Sequence, residues 1–228
     1  MARLGYPRYS LASSFAVGCS LPICHERQFI FFHIPRCGGT SIEEAFALQK
    51  RDSLFGTAIV RDQTIAVHHM TAQNLLDADL LDRRTFDAYF KFTVVRDPFD
   101  RMASDYRWQR RHDYHGEFAR LTFQQYLDRA ETVVQAETYL ERRHYDHFRP
   151  MLDYCLYDGE LMVDDILRLE NIDLDIERLR PRLGNGQLHC TNASPDYSAL
   201  RTPENLGRVY EIYAADKLLW NNIETLLQ

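Results

Sequence analysis

A buried strand that meets two glycines and runs straight on into a helix leaves a chain few folds to choose from. QFIFFHIPRCGGTSIEEAFA, from Gln28 to Ala47, is such a stretch. Phe29 to His33 reads as an apolar strand and Pro35 to Gly39 as a tight turn, with a helix expected to open at Thr40 or Ser41. A strand–turn–helix corner leaves backbone N–H groups without partners and aims the positive end of the helix dipole at one point, which suits phosphate. Gly38 and Gly39 let backbone approach an anion, and Arg36 adds a full positive charge beside them. Thr40 with Glu43 and Ser41 with Glu44 also fit capping boxes, so the same residues could do no more than start a helix. The corner is not a Walker A loop, because Thr40 stands where that motif needs a lysine.

A second corner, FTVVRDPFDRMASDY from Phe92 to Tyr106, has the same logic. An apolar strand ends at Arg96, and Asp97 with Pro98 forms a helix start, Asp as N-cap and Pro at the first helical position. Arg101 and Ser104 follow at helical spacing, within reach of one face. Taken alone, Asp97 and Arg101 read equally well as a surface ion pair on an ordinary helix.

Together, HIPRCGGTS and VVRDPFDRMASDY resemble the paired cofactor signatures of the sulfotransferases that use 3′-phosphoadenosine 5′-phosphosulfate (PAPS), in the branch that includes the heparan- and chondroitin-type carbohydrate 2-O-sulfotransferases. The likeness continues more weakly through LRLENI (Leu167 to Ile172) and HCTNAS (His189 to Ser194) to the C-terminal helix. It implies an α/β fold like that of the P-loop NTPases, three layers with a central, mainly parallel sheet flanked by helices. It also implies that Arg36, Cys37, Gly38, Gly39, Thr40 and Ser41 hold the 5′-phosphosulfate, and that Arg96 and Ser104 hold the 3′-phosphate. Two residues depart from the family pattern HIPKTGGTS: Arg36 replaces lysine and Cys37 replaces threonine. Arginine keeps the charge and grips oxygens bidentately but does not readily give up a proton, so binding should survive better than rate.

At 228 residues the chain is most simply one sulfotransferase domain with an irregular segment over residues 1–27, and it is long enough to bury a core without disulfides or metals. A net charge of −6 argues against nucleic acid or acidic membranes as partners, so any anion must be met by a local basic pocket. Cys19, Cys24, Cys37, Cys155 and Cys190 are odd in number and lack CxxC spacing, which fits a reducing compartment better than a disulfide framework or a zinc site. Leu11 to Cys24 is too short and too polar to span a bilayer and lacks the order of a signal peptide. A cytoplasmic, bacterial enzyme is therefore the expectation, with a trimmed Golgi-luminal protein as the alternative.

Between the corners, Lys50 to Arg61 reads as loop, and Thr64 to Met70 as a strand that runs into a turn, with a helix from about Thr71. Adjacent strand residues point to opposite faces, so His68 and His69 should not chelate one ion together, and no metal is expected. A histidine between the two motifs is the catalytic base in the family, which by resemblance makes His69 the first candidate and His68 the second. Arg107, Arg110 and Arg111 recur on one helix face, either as a solvated surface or as a grip on an anionic acceptor.

Residues 122–157 read as helical throughout, and by resemblance they shape the acceptor site. DDILRL is a further strand. Asp173 to Leu183 is a helix closed by Gly184, Asn185 to Pro203 is a loop in which Ser194 and Arg201 are weak candidates for nucleotide contacts, and one long helix runs from Pro203 to the end. The implied reaction moves a sulfuryl group from PAPS, leaving adenosine 3′,5′-bisphosphate (PAP), to an acceptor hydroxyl, foremost of a carbohydrate. A non-catalytic relative that binds PAPS or PAP as a sensor or scaffold, and a divergent P-loop kinase, are the competing readings.

Overall fold

The computed structural model describes residues 23–46, 48, 57–60, 63–113, 116–142, 144–189 and 196–226. Strand β1 (Ile23–Cys24) turns back into β2 (Phe29–Phe32), which feeds α1 (Gly39–Ala45). A hairpin of β3 (Thr57–Val60) and β4 (Gln63–Ala66) leads through the 3₁₀ turn Val67–His69 to α2 (Ala72–Asp77) and α3 (Arg83–Ala88). Strand β5 (Phe90–Val95) feeds α4 (Pro98–Arg111), and α5 (Phe123–Ala136) follows. Two 3₁₀ turns, Tyr145–Phe148 and Leu152–Tyr154, precede the short hairpin of β6 (Leu156–Tyr157) and β7 (Glu160–Leu161). The remainder is β8 (Asp165–Arg168), α6 (Ile172–Leu183), α7 (Pro203–Ile212), α8 (Ala214–Asn221) and α9 (Ile223–Leu226).

The main sheet runs β1-β2-β5-β8. Strands β2, β5 and β8 are parallel, with Phe31 opposite Phe92 and Val94 opposite Leu167, and β1 is an antiparallel edge. Helices cover both faces, as the unbroken apolar strands require. Phe29, Phe31, Phe92, Val94 and Leu167 pack under Ile42 of α1 and Ile176, Leu179 and Leu183 of α6. Ile30, Phe32, Val95 and Ile166 face the other way, onto Leu75, Phe86 and Leu219. A third cluster joins α4, α5 and α7 with Tyr145 and Phe148. This is the expected three-layer α/β arrangement with a mostly parallel sheet. Because β2 and β5 are neighbours, the two corners at their carboxyl ends must lie side by side.

Several local expectations need correction. Helix α1 opens at Gly39 rather than at Thr40 or Ser41, and no side chain caps it, so neither capping box forms. Thr57–Val60, inside the stretch read as loop, is a strand: its β-branched residues pair antiparallel with β4. That hairpin stands apart from the main sheet, so the two histidines do not end one of its strands. Residues 122–157 are one helix, two 3₁₀ turns and a strand; α5 stops where Glu137 takes up a left-handed conformation. The C-terminal helix is three pieces broken at Tyr213 and Asn222, with Leu219 buried and Leu218 exposed. Within the irregular N-terminal stretch, Ile23–Cys24 is a strand. The strand before α4, the Asp97 cap, the Pro98 start and the Gly184 stop lie where the sequence put them.

Candidate active site

The first corner folds as a tight turn over Pro35 to Gly38, closed by the Cys37 N–H on the Ile34 carbonyl at 3.2 Å. Gly38 has φ +80°, which disfavours any side chain, and a Cβ there would also come within 2.6 Å of Leu169. A Cβ on Gly39 would enter the His33 ring at 2.0 Å. Packing beneath the turn thus demands both glycines. Above it, the N–H groups of Gly38, Gly39 and Thr40 meet no carbonyl among the described residues, whereas that of Ser41 returns to the Gly38 carbonyl at 3.1 Å. Three consecutive open donors at a helix head fit a phosphate or sulfate oxygen. The Cys37 side chain takes no part: it is buried 3.7 Å from the Met151 sulfur, and burial pushes its thiol up to about 12.

The second corner meets the first directly. Arg96 Nη1 donates to the Arg36 carbonyl at 3.3 Å, and Arg36 reaches across with Nε and Nη2 to Ser104 Oγ at 3.2 and 3.1 Å. Arg36 therefore joins the group read as the 5′ side to the group read as the 3′ side. Its backbone holds φ +67°, a costly conformation for a residue with a side chain. Burial pulls its guanidinium below the ordinary value, with the Asp105 carboxylate opposing. The Tyr197 ring lies between Arg96, at 5.9 Å, and Arg107, at 5.0 Å.

Arg101 does not pair with Asp97. Asp97 caps α4 through the N–H groups of Phe99 and Asp100 and takes Lys217 Nζ at 2.9 Å. Arg101 turns inward, 1% exposed, and donates to the carbonyls of Pro35, His147 and Arg149 at 3.3, 2.9 and 2.8 Å, with Asp216 at 3.7 Å. It ties the glycine corner to the segment that carries the acidic and imidazole groups described next.

Those groups form one cluster. His33 Nδ1 is 2.8 Å from Glu43, His69 Nδ1 is 2.7 Å from Asp146, and His147 Nδ1 is 2.6 Å from Asp105. Ring centres lie 5.1 Å apart for His33 and His69, 5.1 Å for His69 and His147, and 3.9 Å for His68 and His69. His68 and His69 occupy a 3₁₀ turn, so the argument that they face opposite ways does not hold. Burial holds His69 down to about 4 against its hydrogen bond to Asp146, and burial with the neighbouring His69 depresses His68 further. Both are neutral at pH 7. One ligand atom from each of His69, Asp146 and His147 lies within 4.8 Å of the others, close enough for a transition metal. The Arg36 and Arg101 guanidinium groups close by oppose a divalent cation there.

Arg107, Arg110 and Arg111 line a surface cleft with Ala119, and among the described residues none of the three is in an ion pair. Arg201 is held by Asp100 and lies over Phe99. Ser194 falls outside the described residues. His33, Asp146, His147 and Asp105 were not singled out by the sequence. His33, within the first motif, and Asp105, within the second, carried a local signal; Asp146 and His147 are brought in by tertiary packing. No helix among the described residues is long and apolar enough to cross a membrane.

The glycine corner, the crossed arginines and the imidazole cluster thus lie together at the carboxyl ends of β2 and β5. No curated protein and no solved structure matches the chain. The model of the sulfotransferase family matches residues 20–221, so the chain belongs to the sulfotransferase family, enzymes that transfer a sulfuryl group from a sulfate donor.

Proposed function

We propose that the donor is PAPS, that the acceptor is a carbohydrate hydroxyl, and that His69 is the base. The observation that carries this reading is the contact between the two corners: Arg96 on the Arg36 carbonyl and Arg36 on Ser104. A site of this kind suits one ligand with an anionic group at each end. The open N–H groups of Gly38, Gly39 and Thr40 hold the 5′ side, Arg96 and Ser104 hold the 3′-phosphate, and Arg36 spans the two. PAPS supplies an activated sulfuryl group. The chain supplies alignment and positive charge where the leaving phosphate oxygen gains negative charge.

Arg36 stabilises that charge without giving up a proton. His69, beside His33 under the glycine corner, takes the acceptor proton on its neutral ring. The cleft at Arg107, Arg110 and Arg111, none of them in an ion pair among the described residues although Arg110 donates to Ala119 and Tyr106, favours an acidic saccharide.

Radiolabelled PAPS offered with a panel of oligosaccharides, tyrosine peptides and small alcohols tests the assignment. Label should move to a saccharide hydroxyl, and ATP with Mg²⁺ should neither compete nor serve as donor. Phosphoryl transfer from ATP would overturn the reading. The acid limb of kcat/KM provides a second check. A base must be neutral, so activity is lost as pH falls through its pKa. With His69 held down to about 4, the rate should stay flat from pH 8 to about 5.5 and fall only below that. A limb at the ordinary histidine value near 6.5 would assign the base elsewhere.

A further inference from the structure

We propose that Asp146 is a positioning residue for the transfer, holding His69 as the single Nδ1–H tautomer so that Nε2 carries the lone pair that takes the acceptor proton. The proposal rests on His69 being the base.

The geometry is that of an orienting dyad. Asp146 Oδ2 lies 2.7 Å from His69 Nδ1, and both side chains are largely shielded from water. The His69 hydrogen bond, with the His69 and His147 rings adding to it, holds the carboxyl well below the usual range against the cost of burial. An ionised carboxylate only accepts, so the proton on the shared bond belongs to His69 Nδ1 and Nε2 is left bare.

Asp146 is itself held firmly. Its backbone carbonyl accepts from Tyr154 OH at 2.8 Å, the next residue's carbonyl accepts from Arg101, and the His147 ring is fixed by Asp105. The charged and titratable groups facing His69 are Asp146 and His147 from this segment, His33 from the end of β2, and His68 from its own turn. Asp146 is the one among them that raises the basicity of His69.

In the step, the acceptor oxygen bonds sulfur as its proton passes to His69 Nε2. The bond from sulfur to the 5′-phosphate oxygen breaks, with its electron pair staying on that oxygen. His69 becomes imidazolium, with both N–H groups engaged and the Nδ1–H still on Asp146. Asp146 remains ionised throughout.

The test uses the full chain with Asp146→Asn, Asp146→Glu and His69→Ala, and two readouts. Nitrogen NMR of labelled histidines reports the His69 tautomer directly. Wild type should show Nδ1–H alone between pH 5.5 and 8, and Asp146→Asn, whose amide both donates and accepts, should lose that single form. Turnover of radiolabelled PAPS should fall about 10- to 100-fold in Asp146→Asn and recover in part in Asp146→Glu. PAP affinity and thermal midpoint should stay near wild type. Turnover unchanged in His69→Ala would sink the parent reading and this proposal with it, whatever tautomer the nitrogen spectrum shows. An Nε2–H tautomer in wild type, or a tautomer and rate both indifferent to Asp146→Asn, would overturn this proposal. So would activity lost to a chelator and restored by zinc, which would give the cluster to a metal.

Discussion

Arg101→Met should destabilise the protein by about 3–5 kcal/mol, read as a shift in the midpoint of denaturant unfolding. The loss has two sources. Methionine fills much of the volume but leaves the Pro35, His147 and Arg149 carbonyls without their donor. It also strands Asp216, fully buried, with only the Met151 and Leu152 N–H groups, at 2.8 and 3.0 Å, to hold it. Burial already lifts that carboxyl to about 6 in spite of Arg101, so removing the cation drives it toward the neutral form at pH 7. Arg101→Met combined with Asp216→Asn should therefore recover part of the loss, because no charge is then left unpaired. A single variant within about 1 kcal/mol of wild type would contradict the role given to Arg101.

His69→Ala should lower the rate of sulfuryl transfer about 10²- to 10⁴-fold, which is about 3–5 kcal/mol of barrier. The effect should fall on kcat with PAP affinity kept within about twofold, because His69 lies behind His33, whose ring packs against Gly39. His68→Ala should cost far less: among the described residues His68 has ring contacts but no carboxylate on either nitrogen. Equal losses in the two variants would mean that the pair acts through packing.

The sheet and its two corners were legible because strong local rules agree there. Phe29 to Phe32 and Phe92 to Val95 are unbroken apolar runs, and Asp97 followed by Pro98 can do little except start a helix. The surface pair of Asp97 and Arg101, one of the two readings left open, fails for the same reason in reverse. A spacing of four from Asp97 satisfies a local pairing rule, and no sequence pattern reveals that three carbonyls from distant segments converge on its guanidinium. Glu43 followed suit, fitting a capping box while in fact reaching back to His33.

The glycines were assigned to anion approach, and the fold adds a second demand the sequence did not show: the space a Cβ would need is filled by Leu169 and His33. The carboxylate partner of His69 was invisible because Asp146 stands far along the chain and meets it only through the fold. The breaks at Tyr213 and Asn222 were missed because neither residue is a helix breaker by type.

The central claim is that opposite ends of one nucleotide are held by the two corners, and calorimetry can vary residue and ligand together. PAP and AMP differ by the 3′-phosphate alone. Arg96→Ala should weaken PAP by about 2 kcal/mol or more and leave AMP nearly unchanged, since the lost charge-assisted contact is to the phosphate that AMP lacks. An equal loss for both ligands, or none for either, would contradict the account.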